Sequence, residues 1–331
     1  MVKYVYNLAK LIPGDIILVR YPNDELSQKI RETTHSEYSH TILYVGRSSY
    51  IEASTRVGAR NLSRLLFDDT TDTCVLRIKE DYLSPITINA AIYYVRFVVG
   101  NPYALADVVR MEHGITDRYT ENAQLCTRLV AKAFAFSGLK IVDNVEMCTP
   151  QQLMESEYVT VYRDFCREAK DFDLNFAATY DVIDDMIKAT ETLFDSLKSF
   201  NGGRIRNMND LSEYVLRNPQ DDEKIVELVK QSGYLDVLNI EEEKNRYNYD
   251  VEEFFSLYGE YAYDMAISSL EDNIEGKQMY EREYCELVKR FFSRRCRSHY
   301  LIMMISLYRQ IIEQHERRIG ICRAVMEDPR S

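Results

Sequence analysis

Hydrophobic positions in the first 80 residues fall into short runs of the length and spacing that strands have. Residues 15–20 (DIILVR) predict one buried strand, and residues 39–46 (SHTILYVG) predict a second. Shorter alternating runs at 49–53 and 74–79 predict two more strands. This part of the chain is therefore expected to begin with a small β-sheet.

Helical spacing replaces strand spacing after residue 84. Ser84 and Pro85 supply a cap and a first-turn residue, and Gly138 supplies a stop for a later helix. The predicted elements are helices at 84–99, 103–112 and 124–137, a short helix that begins at Thr149–Pro150, and a strand at 158–163.

From about Asp171 onward the pattern predicts five or six helices, with turn signals that include Gly202–Gly203. The last helix is the clearest. Its apolar positions between 301 and 326 recur at alternating steps of four and three: Leu301, Ile305, Tyr308, Ile312, His315, Ile319, Cys322 and Met326. Such a seam predicts lengthwise packing against another helix, from this chain or from a second copy.

Composition agrees with a globular chain of two domains. The 331 residues are 46% hydrophobic and 28% charged, enough apolar material for a large core and too many charges for a membrane bundle. The change of pattern near residue 170 predicts one domain over 1–168 and an acidic helical domain over 169–331.

The two parts of the chain differ in net charge. Up to residue 165 the chain has 18 basic and 20 acidic residues, out of 41 and 53 overall, so the remainder has a net charge of −10. An acidic surface repels phosphate backbones and anionic lipids, so nucleic acid is not expected as a partner. No apolar run approaches the roughly 20 residues of a spanning helix or resembles a leader, which predicts a cytoplasmic chain without a membrane span.

The seven cysteines are odd in number and widely spaced, and no CxxC pair is present. This pattern predicts neither a disulfide framework nor a zinc site. His113 has no partner at ligand spacing, and Cys285 with Cys296 is too sparse to hold a metal. No glycine-rich phosphate loop occurs either, so no cofactor is expected.

Cys126 is the best candidate for a reactive thiol. A helix that begins near Gln124 would place its sulfur in the first turn, where unpaired N–H groups and the helix dipole favour a thiolate and an oxyanion. Cys126 also heads an apolar stripe that should pack on the sheet. Taken alone, the local pattern favours a small buried hydrophobe over a nucleophile, because burial is the common fate of a free cysteine.

Two strand residues qualify as partners of that thiol. His40 begins its strand beside a polar loop, a usual position for a catalytic base, and Glu52 lies within an apolar strand where a carboxylate needs a partner. A carboxylate bound to the imidazole would fix its tautomer. Taken singly, His40 also fits a core or surface histidine, and Glu52 an exposed strand residue.

Several short motifs occur in the order found in one family of cysteine hydrolases. They are Pro-Gly-Asp-Ile-Ile at 13–17, Tyr-Ser-His at 38–40, Ile-Glu-Ala at 51–53, Gly-Asn-Pro-Tyr at 100–103, Leu-Cys-Thr at 125–127 and Thr-Pro-Gln-Gln-Leu at 149–153. Residues 10–165 thereby resemble the YiiX-like group, circularly permuted papain-like relatives of the NlpC hydrolases, in which the histidine strand precedes the cysteine helix.

The resemblance implies an α+β fold: a permuted papain-like domain with a small antiparallel sheet packed on helices, followed here by an all-α domain. It implies Cys126 as nucleophile, His40 as general base and then acid, and Glu52 as the orienting residue, with an acyl-enzyme intermediate. The chain departs from the family at Thr127–Arg128, where Ser-Glu is frequent, and at Ala104, where Asp is frequent. Tyr103, Thr127 and Arg128 are the weaker, substrate-contacting candidates; Arg128 alternatively faces solvent or pairs with an acid.

Three hypotheses follow. The first is hydrolysis of an amide or ester in a peptide-like or lipid-like acyl substrate. The second is a catalytically inert remnant that acts as an interaction or assembly protein through its helices, with a protein partner or self-association along 301–326. The third is acyl transfer or deamidation through the same Cys126 and His40, because these reactions share one acyl-enzyme and differ in what attacks it.

Overall fold

The computed structural model describes residues 2–115, 117–121, 123–201, 204–293 and 298–330. Its contacts divide the chain into two units, Met1–Asp173 and Leu174–Ser331. Cys296 and the Gly202–Gly203 turn signal lie outside the described residues.

The N-terminal unit contains a six-stranded sheet of order β5-β4-β3-β2-β6-β7, in which every neighbouring pair is antiparallel. A separate antiparallel pair joins β1 to β8. The strands are β1 Tyr4–Tyr6, β2 Ile16–Val19, β3 His40–Gly46, β4 Ser49–Ala53, β5 Val57–Asn61, β6 Thr73–Ile78, β7 Val159–Tyr162 and β8 Cys166–Glu168. The four strands predicted in the first 80 residues and the strand near 160 are confirmed.

Five helices accompany this sheet: α1 Glu25–Thr34, α2 Pro85–Phe97, α3 Leu105–Glu112, α4 Cys126–Phe136 and α5 Pro150–Met154. The sequence predicted the last four. It did not predict α1, which is mostly polar and buries only Ser27, so the helical apolar period is weak there. Asp24 caps α1 by accepting from the Ser27 N–H, and His35 ends it in the left-handed region at φ 48°.

Both faces of the sheet are covered, which explains why its central strands are apolar without interruption. Ile16 and Leu18 of β2 pack with α2 and α4 on one face, whereas Ile17 and Val19 face the N-terminal segment on the other. The predicted apolar stripe of α4 lies in the first of these layers. Four of its five members are completely buried, namely Leu129, Val130, Ala133 and Phe134, and the fifth, Ser137, is half-buried at the end of the helix. The helix that begins at Cys126 is thereby fixed against the sheet.

Eight helices follow residue 170 in the described part of the chain, more than the five or six that the sequence predicts. They are α6 Asp171–Ala178, α7 Val182–Asn201, α8 Met208–Arg217, α9 Asp222–Gln231, α10 Val237–Lys244, α11 Val251–Tyr258, α12 Ala262–Ser293 and α13 His299–Glu327. Several have only eight to ten residues and are separated by single turns of 3₁₀ helix. Such junctions interrupt the helical period too little to be recognised in the sequence.

The long helices α12 and α13 pack along each other, so α13 has a partner within the chain. The predicted seam is only partly correct. Leu301, Ile319 and Cys322 are buried as expected, but α13 also buries Met304 and Leu307. The reason is that α8, α9 and α11 contact α13 as well, and a helix with several neighbours buries more than one stripe.

Among the described residues, no helix has both the length and the apolar character that crossing a bilayer requires.

Candidate active site

His40 and Glu52 come together across two neighbouring strands. His40 is the first residue of β3, and Glu52 of β4 stands opposite Ile42 in the β3–β4 register. Because alternate residues of a strand share a face, the two side chains project from the same side of the sheet. The His40 Nε2 atom lies 2.6 Å from the Glu52 Oε2 atom, and 9% of the Glu52 side chain is accessible.

Cys126 reaches the same histidine from the helical layer. It is the first residue of α4, and its thiol is hydrogen-bonded to the His40 ring and to the backbone N–H groups of Thr41 and Thr127. Since Nε2 of His40 is bonded to Glu52, the ring nitrogen that faces the sulfur is Nδ1. Sulfur, imidazole and carboxylate therefore form one continuous chain of hydrogen bonds.

The electrostatics of this chain favour a thiolate and an imidazolium. Burial raises the pKa of the Cys126 thiol, but the His40 hydrogen bond and charge and the two backbone N–H groups outweigh burial, so the thiol pKa falls below its usual value. Burial lowers the pKa of His40, but its bonds to Cys126 and Glu52 raise it well above 6.5. Both shifts favour the thiolate–imidazolium pair over the neutral pair.

Arg60 is a member of the site that the sequence did not single out. Its Nε atom lies 2.9 Å from the second carboxylate oxygen of Glu52. Burial raises the pKa of Glu52, but His40 and Arg60 together bring it below the usual value. Arg60 was missed because β5 was not predicted; in the observed register Arg60 stands opposite Tyr50, on the face that carries Glu52.

Tyr21 is a second residue that the sequence did not indicate. Its ring centroid lies 6.4 Å from that of His40. Burial raises the pKa of its hydroxyl, so Tyr21 places an uncharged ring beside the imidazole at neutral pH. The two rings are close because β2 ends and β3 begins side by side in the sheet. No local sequence pattern predicts this contact.

A pocket opens beside the Cys126 sulfur, between α1 and α3. Helix α1 contributes three residues to its wall, α3 contributes two and α4 contributes two, and the other five lie before β3, α3, α4 and α5 or at the first residue of α5. The lining residues are Ile30, Thr33, Thr34, Ser39, Tyr103, Val108, Met111, Leu125, Cys126, Thr127, Cys148 and Pro150. A substrate held in this pocket would lie against the thiol.

Of the three weaker substrate-contacting candidates, two line the pocket and one does not. Tyr103 and Thr127 line the pocket, although the Thr127 hydroxyl donates to the Cys148 carbonyl at 2.7 Å. Arg128 is not among the described residues of the pocket wall and is completely buried. The expected exposure of Arg128 to substrate or solvent is therefore wrong, and the alternative that it pairs with an acid describes its environment.

The buried guanidinium of Arg128 connects α4 with α3 and the preceding loop. Its Nη2 atom lies 2.6 Å from Oδ2 of Asp107, and Nη1 and Nε donate to the carbonyls of Ala123 and Glu146 at 2.9 Å and 2.7 Å. Arginine can satisfy several acceptors at once because its five N–H groups are planar and fixed. The arrangement holds the first turn of α4, which carries Cys126, against the helix that forms one wall of the pocket.

The fold of the N-terminal unit resembles that of known proteins. Residues 10–170, just under half of the chain, match the family model described as permuted papain-like amidase enzyme, YaeF/YiiX, C92 family. A crystal structure of the metalloprotein yiiX from Escherichia coli O157:H7 is 19% identical, with a TM-score of 0.35 over 45% of this chain and 94% of that chain. No curated protein sequence matches.

The N-terminal unit thus has the YiiX-like permuted papain-like fold that the motifs predicted, and a helical region follows it. The matching family is one of amidases, which supports a cysteine hydrolase. Within the described ranges, no group of three or more His, Cys, Asp or Glu side chains is arranged to hold a metal ion.

Proposed function

We propose that the N-terminal unit is a thiol hydrolase that cleaves an amide or ester bond through an acyl-enzyme on Cys126. The observation that carries this proposal is the continuous hydrogen-bonded chain from the Cys126 sulfur through His40 to Glu52. A buried free cysteine without a role would have a raised pKa, as Cys148 has at about 12. The lowered pKa of Cys126 is instead what a nucleophile requires.

In the first half of the reaction, the Cys126 thiolate attacks the carbonyl carbon of the substrate and forms a carbon–sulfur bond. The negative charge moves to the carbonyl oxygen, where the N–H groups of the first turn of α4 favour it. As the carbon–nitrogen or carbon–oxygen bond breaks, the leaving group takes the proton from Nδ1 of His40. Glu52 holds the ring through Nε2 and stabilises the imidazolium before that transfer.

In the second half, water attacks the thioester. The neutral His40 takes a proton from that water through Nδ1, the acid product forms, and the sulfur leaves as thiolate. His40 ends the cycle protonated beside the thiolate, which is the resting state that the raised His40 pKa and the lowered Cys126 pKa favour. An amine or alcohol in place of water would give acyl transfer by the same steps.

The test is the pH dependence of iodoacetamide alkylation at each cysteine, followed by peptide mapping, in the wild-type chain and in His40→Ala. Cys285 is exposed and serves as the internal reference. We expect Cys126 to react faster than Cys285 near pH 6, because its lowered pKa gives it a larger thiolate fraction than an ordinary thiol has. This advantage should disappear in His40→Ala.

A second measurement follows the acyl-enzyme. Incubation with p-nitrophenyl acetate and rapid acid quenching should add one acetyl group at Cys126 in the wild type, and none at that site in Cys126→Ser. Equal reactivity of Cys126 and Cys285 at every pH, with no acetyl group on Cys126, would refute the proposed function. Mass analysis in the presence of an amine separates hydrolysis from acyl transfer.

A further inference from the structure

Cys148 is a buried thiol that the proposed reaction does not use, and it lies beside the nucleophile. Cys126 and Cys148 line the same pocket, and the other cysteines that the structure describes are not part of its wall. Only 1% of Cys148 is accessible, and the pocket is where it borders open space. Two thiols of one chain therefore share one small space inside the N-terminal unit.

Thr127 is hydrogen-bonded to the sulfur atoms of both cysteines. Its backbone N–H is bonded to the Cys126 thiol, and its hydroxyl is bonded to the Cys148 thiol. The same hydroxyl donates to the Cys148 carbonyl at 2.7 Å, which holds the backbone of Cys148 against the first turn of α4. Each sulfur is thus one hydrogen bond away from the same residue.

The two thiols differ in their readiness to react with an oxidant. His40 and two backbone N–H groups favour the thiolate of Cys126, and a low-pKa thiolate that borders a pocket is the form that a hydroperoxide oxidises. Burial raises the pKa of Cys148 to about 12, and the nearby charge of Cys126 adds to this rise. Cys148 is therefore a neutral thiol that resists direct oxidation and stands next to one that does not.

Resting on the proposed function, we infer that Cys148 is a resolving cysteine, which converts peroxide-oxidised Cys126 into a Cys126–Cys148 disulfide and so switches the hydrolase off reversibly. In the first step, the Cys126 thiolate attacks one oxygen of hydrogen peroxide. An S–O bond forms, the O–O bond breaks, and the departing hydroxide takes the proton of His40 and becomes water. The sulfur is oxidised by two electrons to a sulfenic acid, and the peroxide is reduced.

In the second step, the Cys148 sulfur attacks the sulfenic sulfur of Cys126 after rotation about the Cα–Cβ bonds of both residues. An S–S bond forms, the S–O bond breaks, and the departing hydroxide takes the Cys148 proton and becomes water. The disulfide removes the nucleophile and prevents its further oxidation to sulfinic acid. A small thiol restores both cysteines by thiol–disulfide exchange.

The test treats the folded wild-type chain with hydrogen peroxide at neutral pH. Catalase then removes the peroxide, N-ethylmaleimide blocks the remaining thiols, and the peptides are mapped without reduction. We expect a linked Cys126–Cys148 peptide and loss of Cys126 acylation by p-nitrophenyl acetate, both reversed by dithiothreitol. The same treatment in urea gives the pattern of unselective pairing. A Cys126–Cys148 yield no higher than in urea would overturn the inference.

Cys148→Ala and Cys148→Ser remove the resolving thiol. The matched control is Cys74→Ala, which removes a buried thiol outside the described wall. After excess peroxide and then dithiothreitol, the wild type and Cys74→Ala should regain most of their own initial acylation rates. The Cys148 variants should regain roughly a tenth or less of theirs, because dithiothreitol does not reduce sulfinic acid. Equal recovery in all four proteins would show that Cys148 does not resolve the sulfenic acid.

The outcomes separate this inference from the proposed function. If p-nitrophenyl acetate acetylates Cys126 but peroxide forms no Cys126–Cys148 link in the folded wild type, the inference fails while the proposed function stands. If the link forms selectively but no ester ever acylates Cys126, the proposed function fails while the assignment of the disulfide stands.

Discussion

Nε2 of His40 lies 2.6 Å from Oε2 of Glu52, although twelve residues separate the two positions. The strands that carry them are antiparallel neighbours, and Glu52 stands opposite Ile42, two residues along β3 from His40. The carboxylate thereby occupies one nitrogen of the ring and leaves the other for the thiol of Cys126. Several testable properties of the site depend on this contact.

Replacing Glu52 by Gln should weaken the thiolate without removing the hydrogen bond. The amide keeps the shape of the side chain but lacks the charge that raises the pKa of His40. With a less stable imidazolium, the pKa of Cys126 should rise toward its usual value. The alkylation rate of Cys126 should fall several-fold near pH 6 and stay the same near pH 10, where the thiol is ionised in both proteins. An unchanged profile would show that Glu52 does not support the ion pair.

Arg60 should lower the pH at which Glu52 becomes protonated in the folded protein. The folded-state pKa of Glu52 is lowered, so its contribution to stability is present above the unfolded pKa of about 4.3 and is lost as the pH falls through the lower folded value. Arg60→Met removes one cause of that lowering. The loss of unfolding free energy should therefore begin near the same pH as in the wild type, but be smaller in total and be complete at a higher pH.

Urea unfolding between about pH 3 and pH 7 measures this effect. Other carboxylates titrate in the same range, so the comparison is made as a cycle with Glu52→Gln and the double variant. Arg60→Met should change the pH dependence only where Glu52 is present. A similar change in the Glu52→Gln background would assign the effect to another group.

Arg128 should matter for stability because it is a buried charge with a buried partner. Both Arg128 and Asp107 are completely inaccessible, and their side chains meet at 2.6 Å. Arg128→Met removes that partner and leaves Asp107 with Arg110 and Thr120, so the cost should be at or below the roughly 3–5 kcal/mol of a buried charge left wholly unpaired. Urea unfolding at pH 7 checks the prediction. Lys3→Met, which breaks the exposed contact with Asp68, is the control and should have little effect.

Two helical glycines should respond to alanine with opposite signs. Alanine normally stabilises a helix interior by about 0.5–1 kcal/mol relative to glycine, and Gly320 of α13 has open space around the position of an added Cβ. At Gly276 of α12 the same atom would lie 2.6 Å from Cε1 of the His315 ring. That ring is held by Asn273, at 2.9 Å from Nδ1, and by stacking on Tyr280.

We therefore expect Gly320→Ala to raise the free energy of unfolding and Gly276→Ala to lower it by about 1–3 kcal/mol, as overpacking does. Thermal and urea unfolding of both variants test this. A gain in stability for Gly276→Ala would mean that the His315 ring can move away at little cost.

The order of the elements in the N-terminal unit could be predicted from the sequence because the evidence for it is local. Apolar runs flanked by turn residues marked β2, β3, β4 and β6, and the Ser84–Pro85 start and Gly138 stop marked helices. Helix α1 and strand β5 were missed for the same physical reason: α1 buries little, and β5 contains the polar sequence VGARN. The pocket wall on α1 and the contact of Arg60 with Glu52 were consequently missed as well.

The sequence by itself determined which residue types begin the strand and the helix of the site, because a histidine at a strand start and a cysteine at a helix start are properties of neighbouring residues. Only the tertiary structure decided what these residues touch. The registers of β3, β4 and β5 place Glu52 between His40 and Arg60, and the packing of α4 buries Arg128 on Asp107 instead of exposing it. Such contacts depend on strand register and helix packing between residues distant in the chain, and no local pattern encodes them.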